Sequence, residues 1–486
     1  METTTTQALQ HVIGGESFGK ADRERRNPAD SDDIVSRFPA GEAADVNRAV
    51  EAARDSLAKW SRTPAPERAA VLTRAAAILE SRVTQVSRDL TREEGKTIAE
   101  STGEVRRAVD ILRYYGGEGW RLSSEMVPSS AANQILYTKR EPVGVVGVIT
   151  PWNFPIAIPT WKLAPALVSG NTVVFKPASL TPLTAHHLLR ALLDADLPRG
   201  VLNLVFGAGS EVGDSLVGHD AVAAVSFTGS TSVGKHIHEI ASRRLARVQL
   251  EMGGKNPFIV AEDASPTEAA ALVALGGWGL TGQACTATSR VIAVGKVLEP
   301  LVEALKRETQ ARTPGNGLLP EVRMGPVVSD SQLATDMSYL EVGRSEAELV
   351  TGGRLVHDLF LEPALFVGVQ PNDRIAREEI FGPVIGVIGA SDLDHAIAIA
   401  NDSEYGLSAG ICTNDMAAAH HFIDRVEAGV VKVNQPTTGL ELNMPFGGMK
   451  NSSTGTFREQ GRTAVDFYTR VKSVYLRHGE YRPEVR

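Results

Sequence analysis

The chain has 486 residues, 43% hydrophobic and 22% charged, and its 58 acidic against 50 basic side chains give a formal charge of −8. That length exceeds one ordinary core and implies two or three domains, and the composition is that of a globular protein. An acidic balance without a sustained Lys/Arg cluster excludes a nucleic-acid or anionic-membrane surface, and apolar runs broken by glycine or charge exclude a spanning helix.

Two cysteines, Cys285 and Cys412, lie far apart in different surroundings, so no disulfide framework is expected and a reducing compartment fits. The start, Met1 to Gln7, lacks a basic stretch followed by an apolar one, so a cytoplasmic location is expected.

The first forty residues read as a polar lead-in with turn signals at Gly14-Gly15 and Asn27-Pro28. Amphipathic helices follow. Val46, Ala49, Val50, Ala53 and Leu57 share one stripe, and Val71, Leu72, Ala75, Ile78 and Leu79 another, with Pro66 suited to the start of the second. A further helical stretch runs from Val109 to Tyr115. From about Ile135 short β-branched runs alternate with helical patterns: Val145 to Ile149, Thr172 to Phe175, Leu202 to Phe206, Val222 to Val225 and Val248 to Leu250. Such runs predict a parallel sheet covered on both faces, with ligands outside the carboxyl ends of its strands. Beyond Gly253-Gly254 a second set begins, with Phe258 to Val260, Val291 to Val294, Val384 to Ile388 and Val430 to Val433, which predicts a second α/β domain. Ile135 to Arg140 and Val474 to Leu476 fit neither domain, and suit either pairing between subunits or an edge within one.

Cys285 sits in a run of small and polar residues, Thr281 to Arg290, where a thiol is either an accessible nucleophile or inert. Cys412, in apolar company, reads as core. Glu251 comes straight off an apolar strand, which suits a general base with a raised pKa or an ion pair with Lys255. Asn153, between two prolines at a strand end, suits an oxyanion donor or an Asx turn. Phe227 to Lys235 holds a helix start that either caps itself or receives a phosphate, and Gly207 to Gly213 reads as a plain turn. No metal site is expected. His236-Ile237-His238 has no acidic partner at ligand spacing, and the adjacent pairs His186-His187 and His420-His421 diverge on a helix.

Seven stretches recur in one order across essentially the whole chain: Thr150 to Pro155, Lys176 to Ser179, Phe227 through Gly234, Leu250 to Lys255, Gly282 to Cys285, Glu379 to Val384 and Pro445 to Gly448. Together they resemble the aldehyde dehydrogenase superfamily. The resemblance implies an α/β, two-domain fold. A Rossmann-like NAD(P)-binding domain would span 1–123 and 144–252 with 452–470 returning to it, a catalytic domain 253–451, and a small oligomerisation β-extension 124–143 and 471–486. It implies oxidation of an aldehyde to a carboxylic acid, with Cys285 as nucleophile, Asn153 and the Cys285 N–H as oxyanion donors, and Glu251 as base. Thr150, Pro151, Trp152, Lys176, Ser179, Gly229, Ser230, Gly234, Glu379 and Phe381 would hold the cofactor. Ser179 replaces a glutamate that would repel a 2′-phosphate, so NADP is expected to be accepted beside NAD, and to be preferred.

For the substrate, Trp161 matches an aromatic tunnel wall, and Arg113 and Arg290 are the candidates to meet a substrate carboxylate. Asn434 to Glu441, Lys450 to Ser453, Phe457 to Gly461 and Asp466 to Thr469 resemble the 2-oxoglutarate semialdehyde (2,5-dioxopentanoate) dehydrogenase branch. The competing expectations are another aldehyde (succinate semialdehyde, aliphatic or aromatic) and a cysteine esterase or thioester hydrolase. A non-catalytic role fits poorly with Cys285, Glu251 and Asn153 all present, and acyl transfer to coenzyme A fits poorly with Glu251. A homodimer or homotetramer is expected, with no nucleic-acid or membrane partner.

Overall fold

The computed structural model of the chain describes residues 6–480. The predicted helical stripes lie inside helices Ala43–Arg62, Ala65–Ser81 and Ile98–Glu118, with Pro66 in the first turn of the second. Val46, Ala49, Val50 and Ala53 of the first stripe are buried against the first sheet.

That sheet runs Arg247–Glu251, Val222–Thr228, Val145–Ile149, Thr172–Lys176 and Leu202–Leu204, all parallel, then His11–Ile13 and Glu16–Phe18 antiparallel. The chain starts this parallel set in the middle, moves outward through Leu202–Leu204, then returns to the other side. The crevice where direction reverses lies between Val145–Ile149 and Val222–Thr228, the place where open α/β sheets receive ligands. Register aligns Ile149 with Phe227 and with Lys176, and Thr228 with Glu251. The turns after these strands therefore leave the sheet side by side.

The amino-terminal segment is more than a lead-in. His11, Val12 and Ile13 are buried strand residues that extend the first sheet, and Arg23–Asn27, Asp30–Phe38 and Gln7–Ala8 form a small sheet of their own. Polar composition hid these strands because Arg23–Asn27 exposes three of its five residues.

The second sheet runs Glu348–Thr351, Ala364–Val367, Val384–Ala390, Thr288–Val294, Asn256–Val260, Ser408–Cys412 and Val430–Val433, parallel except for the first strand. Cys412 lies in its core. The stretches carrying Gly254, Cys285 and Glu379 precede strands here, so this sheet offers its amino ends to the carboxyl ends of the first. Gln134–Pro142 and Thr469–Arg477 pair antiparallel over nine residues, with Met126–Val127 on the far side. No described helix is long and apolar enough to cross a membrane.

Arg290 belongs to this architecture and not to a substrate site. It is 1% exposed on strand Thr288–Val294, and its guanidinium donates to the carbonyls of Lys255 at 3.1 Å, Ile399 at 3.2 Å and Ala400 at 3.0 Å. The last two carbonyls close helix Leu393–Asn401, which favours a cation. Replacing Arg290 by Met strands buried carbonyls, so Arg290→Met is expected to lose about 3 kcal/mol of stability. Calorimetry should show the lowered transition while KM for the aldehyde stays at the wild-type value.

Candidate active site

Two cavities meet in the gap between the sheets. One, of about 390 Å³, is mostly apolar and bounded by Phe154, Trp161, Leu280 and Phe446. The other, of about 200 Å³, lies at the first sheet's crevice between Trp152, Gly229, Glu379 and Phe381. Cys285 is the one residue lining both.

The loop carrying Cys285 is bent by force. Leu280 and Thr281 hold left-handed φ values of 54° and 56°, and Gly282 follows at 71°. A Cβ on Gly282 would stand 2.2 Å from the Gly382 carbonyl, so only glycine fits. Asn256 then clamps the Cys285 backbone: its Nδ2 donates to the carbonyls of Cys285 and Ala287, both at 2.8 Å, while its Oδ1 accepts from the Ser408 N–H at 3.0 Å. Burial pushes the Cys285 thiol up to about 12, helped by the Glu379, Glu251 and Glu459 carboxylates. The resting thiol is protonated.

Asn153 follows strand Val145–Ile149 and is buried. Its Nδ2 donates to the Gln283 carbonyl at 3.0 Å, two residues before Cys285. Lys96 Nζ donates to the Asn153 carbonyl and to Glu104 at 2.8 Å. The other Glu104 oxygen accepts from the Ile156 and Ala157 N–H groups at 3.0 and 3.1 Å, capping the next helix. This buried Lys96–Glu104 pair sets the turn that presents Asn153.

Glu251 is 1% exposed at the end of its strand. It accepts from Ser453 Oγ at 3.1 Å and the Gly448 N–H at 3.3 Å, not from Lys255, and it lines neither cavity. Its carboxyl is held well above the usual range, first by burial and then by Glu459. Glu459 itself accepts from Trp161 Nε1 at 2.7 Å and pairs with the fully buried Lys162, which also donates to Ser226 at 3.0 Å.

The surroundings of the second cavity suit an anionic nucleotide. Helix Thr231–Ser242 starts at its wall with no side chain capping the first turn, which leaves N–H groups for an anion. Thr150 and Thr228 hold buried hydroxyls with no partner at the carboxyl ends of the crevice strands. Glu379 accepts from the Gly254 N–H at 2.9 Å, and burial lifts its carboxyl to about 7. A side chain at Gly253 would strike that carboxylate. Phe381, at φ 61°, packs edge-on against Trp152 with ring centroids 5.5 Å apart. Lys176 is buried at its strand end with its pKa lowered to about 8 by burial, and its Nζ donates to the Pro177 carbonyl at 3.2 Å. Ser179 is exposed and donates to the Gly207 carbonyl at 3.3 Å, which brings the Gly207 turn to the same edge.

The structure thus brings together Asn153, Cys285, Trp152, Gly229, Ser230, Glu379 and Phe381 around one gap, with Pro151 and Trp161 also at cavity walls. Gly234 sits one turn into the helix against Met252. Arg113 is elsewhere: it lies half-exposed on the outer face of its helix and pairs with Glu80 at 2.5 Å. Sequence reasoning missed Lys96, Glu104, Asn256, Gln332 and the Lys162–Glu459 pair. Gln332 lines the second cavity and donates to Asp336 at 2.8 Å and to the Ile380 carbonyl at 3.1 Å. Apart from Glu459, these residues lie outside the quoted motifs, and only pairing across the fold reveals them. Three histidines of the His186-His187, His236-Ile237-His238 and His420-His421 motifs do find carboxylates across elements, His187 with Asp89 at 2.9 Å, His236 with Asp214 at 3.1 Å and His421 with Asp394 at 2.5 Å, yet no cluster of three potential metal ligands occurs among the described residues.

Because burial disfavours the thiolate, iodoacetamide should alkylate Cys285 about tenfold faster per pH unit from pH 7 to 10, without a plateau. Peptide mass spectrometry separates it from Cys412. A plateau at or below pH 9 would contradict the resting thiol described above.

A model of the aldehyde dehydrogenase family matches residues 16–474. An α-ketoglutarate semialdehyde dehydrogenase of Haloferax volcanii is 48% identical, over 93% of this chain and 95% of its own length. A 2,5-dioxopentanoate dehydrogenase of Saccharolobus solfataricus is 46% identical, over 92% of this chain and 95% of its own. The crystal structure of an NAD-dependent aldehyde dehydrogenase from Sinorhizobium meliloti superposes with a TM-score of 0.95 at 34% identity, covering 99% of this chain and 97% of that one. With a thiol between two cavities, and with the match running almost from end to end, the chain belongs to the aldehyde dehydrogenase family.

Proposed function

We propose that this aldehyde dehydrogenase oxidises 2,5-dioxopentanoate to 2-oxoglutarate, with NADP accepted beside NAD and preferred. The observation that carries the reaction is Cys285 at the shared wall of a mostly apolar cavity and of the cavity at the first sheet's crevice. The substrate reading is supported by the names of relatives 46% and 48% identical.

The aldehyde enters past Trp161 and Phe446. Cys285 Sγ attacks its carbonyl carbon as the thiol proton leaves toward Glu251, and a thiohemiacetal forms. The oxyanion is met by the Asn153 amide, held by its bond to the Gln283 carbonyl, and by the N–H of Cys285, whose carbonyl Asn256 holds. When bound, the nicotinamide supplies a hydride acceptor; Thr150, Trp152, Ser230, Glu379 and Phe381 would hold it and its ribose-phosphate arm. Loss of hydride leaves a thioester on Cys285. Glu251, having released the thiol proton to solvent, then takes a proton from water, the water oxygen attacks the thioester carbonyl, and the C–S bond breaks to release the acid as that proton returns to Cys285 Sγ. A carboxyl held high by burial is a strong enough base for that step once it turns from Ser453 and Gly448 toward the thioester.

Serine at 179 supports the cofactor reading, since that position carries no carboxylate to oppose a 2′-phosphate and Lys176, three residues before it, ends the preceding strand. The free edge of Thr469–Arg477, with Val471, Tyr475 and Leu476 exposed, supports a homodimer or homotetramer built by pairing along that edge.

Steady-state kinetics with each cofactor tests both readings. kcat/KM for 2,5-dioxopentanoate should exceed that for succinate semialdehyde, propanal and benzaldehyde by about tenfold or more. A flat panel or preference for an uncharged aldehyde rejects the substrate; strong NAD selectivity rejects the cofactor preference. Ester hydrolysis without nucleotide reduction would identify a hydrolase instead.

A further inference from the structure

The aldehyde cavity is mostly apolar, yet three charged side chains line it: Glu100, Glu104 and Arg107, all on helix Ile98–Glu118. Spacings of four and three residues place them on one face of that helix. Both glutamates are committed. Glu104 serves Lys96 and the Ile156 and Ala157 N–H groups, and Glu100 accepts from the Thr97 N–H at 2.9 Å, from Thr97 Oγ1 and from the Leu280 N–H at 2.8 Å. Arg107 is not committed. Among the described residues it makes no ion pair, and its one hydrogen bond is from Nη2 to the neutral Gln460 Oε1 at 3.3 Å.

The neighbours sharpen the contrast. Arg113, six residues on, pairs with Glu80 and Asp110, and Arg121 pairs with Glu118. Arg107 feels Glu441 and Asp110 only at longer range, against burial that disfavours its charge. Beside it, Gln460 is buried with its Nε2 unpartnered, so a second donor accompanies the guanidinium. A cation paired with an amide, at the wall of an otherwise apolar cavity, keeps nearly all of its planar donor fork free for a carboxylate.

We infer that Arg107 receives the substrate's carboxylate, with Gln460 steering its guanidinium, while the aldehyde end meets Cys285. It is thus a specificity residue for aldehydes that carry a carboxylate at the far end of the chain. This assignment takes the role that sequence reasoning gave to Arg113 and Arg290. It rests on the 2,5-dioxopentanoate reading only for the identity of the anionic aldehyde.

The test compares wild type, Arg107→Met and Arg107→Lys on 2,5-dioxopentanoate and on pentanal, which has the same carbon count and no carboxylate. The ratio of the two kcat/KM values should fall by about tenfold to a hundredfold in Arg107→Met, mainly through KM, as a lost charge-assisted pair does. Arg107→Lys, which keeps the charge but not the fork, should fall between, and the product-inhibition constant of 2-oxoglutarate should rise in parallel. A ratio within about threefold of wild type, or equal losses on both aldehydes, overturns the assignment. If wild type prefers succinate semialdehyde, the substrate reading fails while Arg107 is judged on succinate semialdehyde against butanal. If wild type prefers uncharged aldehydes, both fail.

Discussion

One hydrogen bond ties the two halves of the chemistry together. The Asn153 amide, at the carboxyl end of a strand in the first sheet, donates to the Gln283 carbonyl on the loop that leads into the second. At 3.0 Å this bond holds the proposed oxyanion donor against the Cys285 loop, and neither sheet supplies both groups alone. Everything around this contact keeps it rigid. Lys96 and Glu104 set the turn on the Asn153 side, and Asn256 together with the left-handed Leu280-Thr281-Gly282 bend sets the Cys285 side. Preorganised donors of this kind need no rearrangement when charge develops on oxygen.

The electrostatics of the gap pull in two directions. Glu251, Glu379 and Glu459 all raise the thiol pKa, which stabilises Cys285 as an unreactive thiol when no aldehyde is present. Burial first, and Glu459 after it, raise Glu251 and so make it a better proton acceptor. Lys162 limits the repulsion by pairing with Glu459, and it lowers Glu251 in turn. The site therefore trades a low-pKa thiol for a strong base nearby.

Much of this was legible in the chain. Alternating β-branched runs and helical stripes predicted both sheets, and the ordered motifs placed Asn153, Cys285, Glu379 and Phe381 at one gap. The rule that α/β sheets bind at carboxyl ends described the first sheet only; in the second, Cys285 and Glu379 precede their strands, a reversal that strand patterns cannot express. The amino-terminal strands escaped notice because edge strands with exposed polar faces lack an apolar run. Arginines were the hardest to place. Arg107, Arg113 and Arg290 look alike in sequence, and only their partners separate a helix-closing cation and a surface ion pair from one that faces a cavity.

The central claim is that Cys285 joins the two cavities through a covalent intermediate. Mass spectrometry of Glu251→Gln, quenched with acid after mixing with aldehyde and cofactor, tests it most directly. The account predicts an acyl adduct on the Cys285 peptide that forms only when both ligands are present and that outlasts the wild-type adduct. No adduct, or one on another residue, would contradict it.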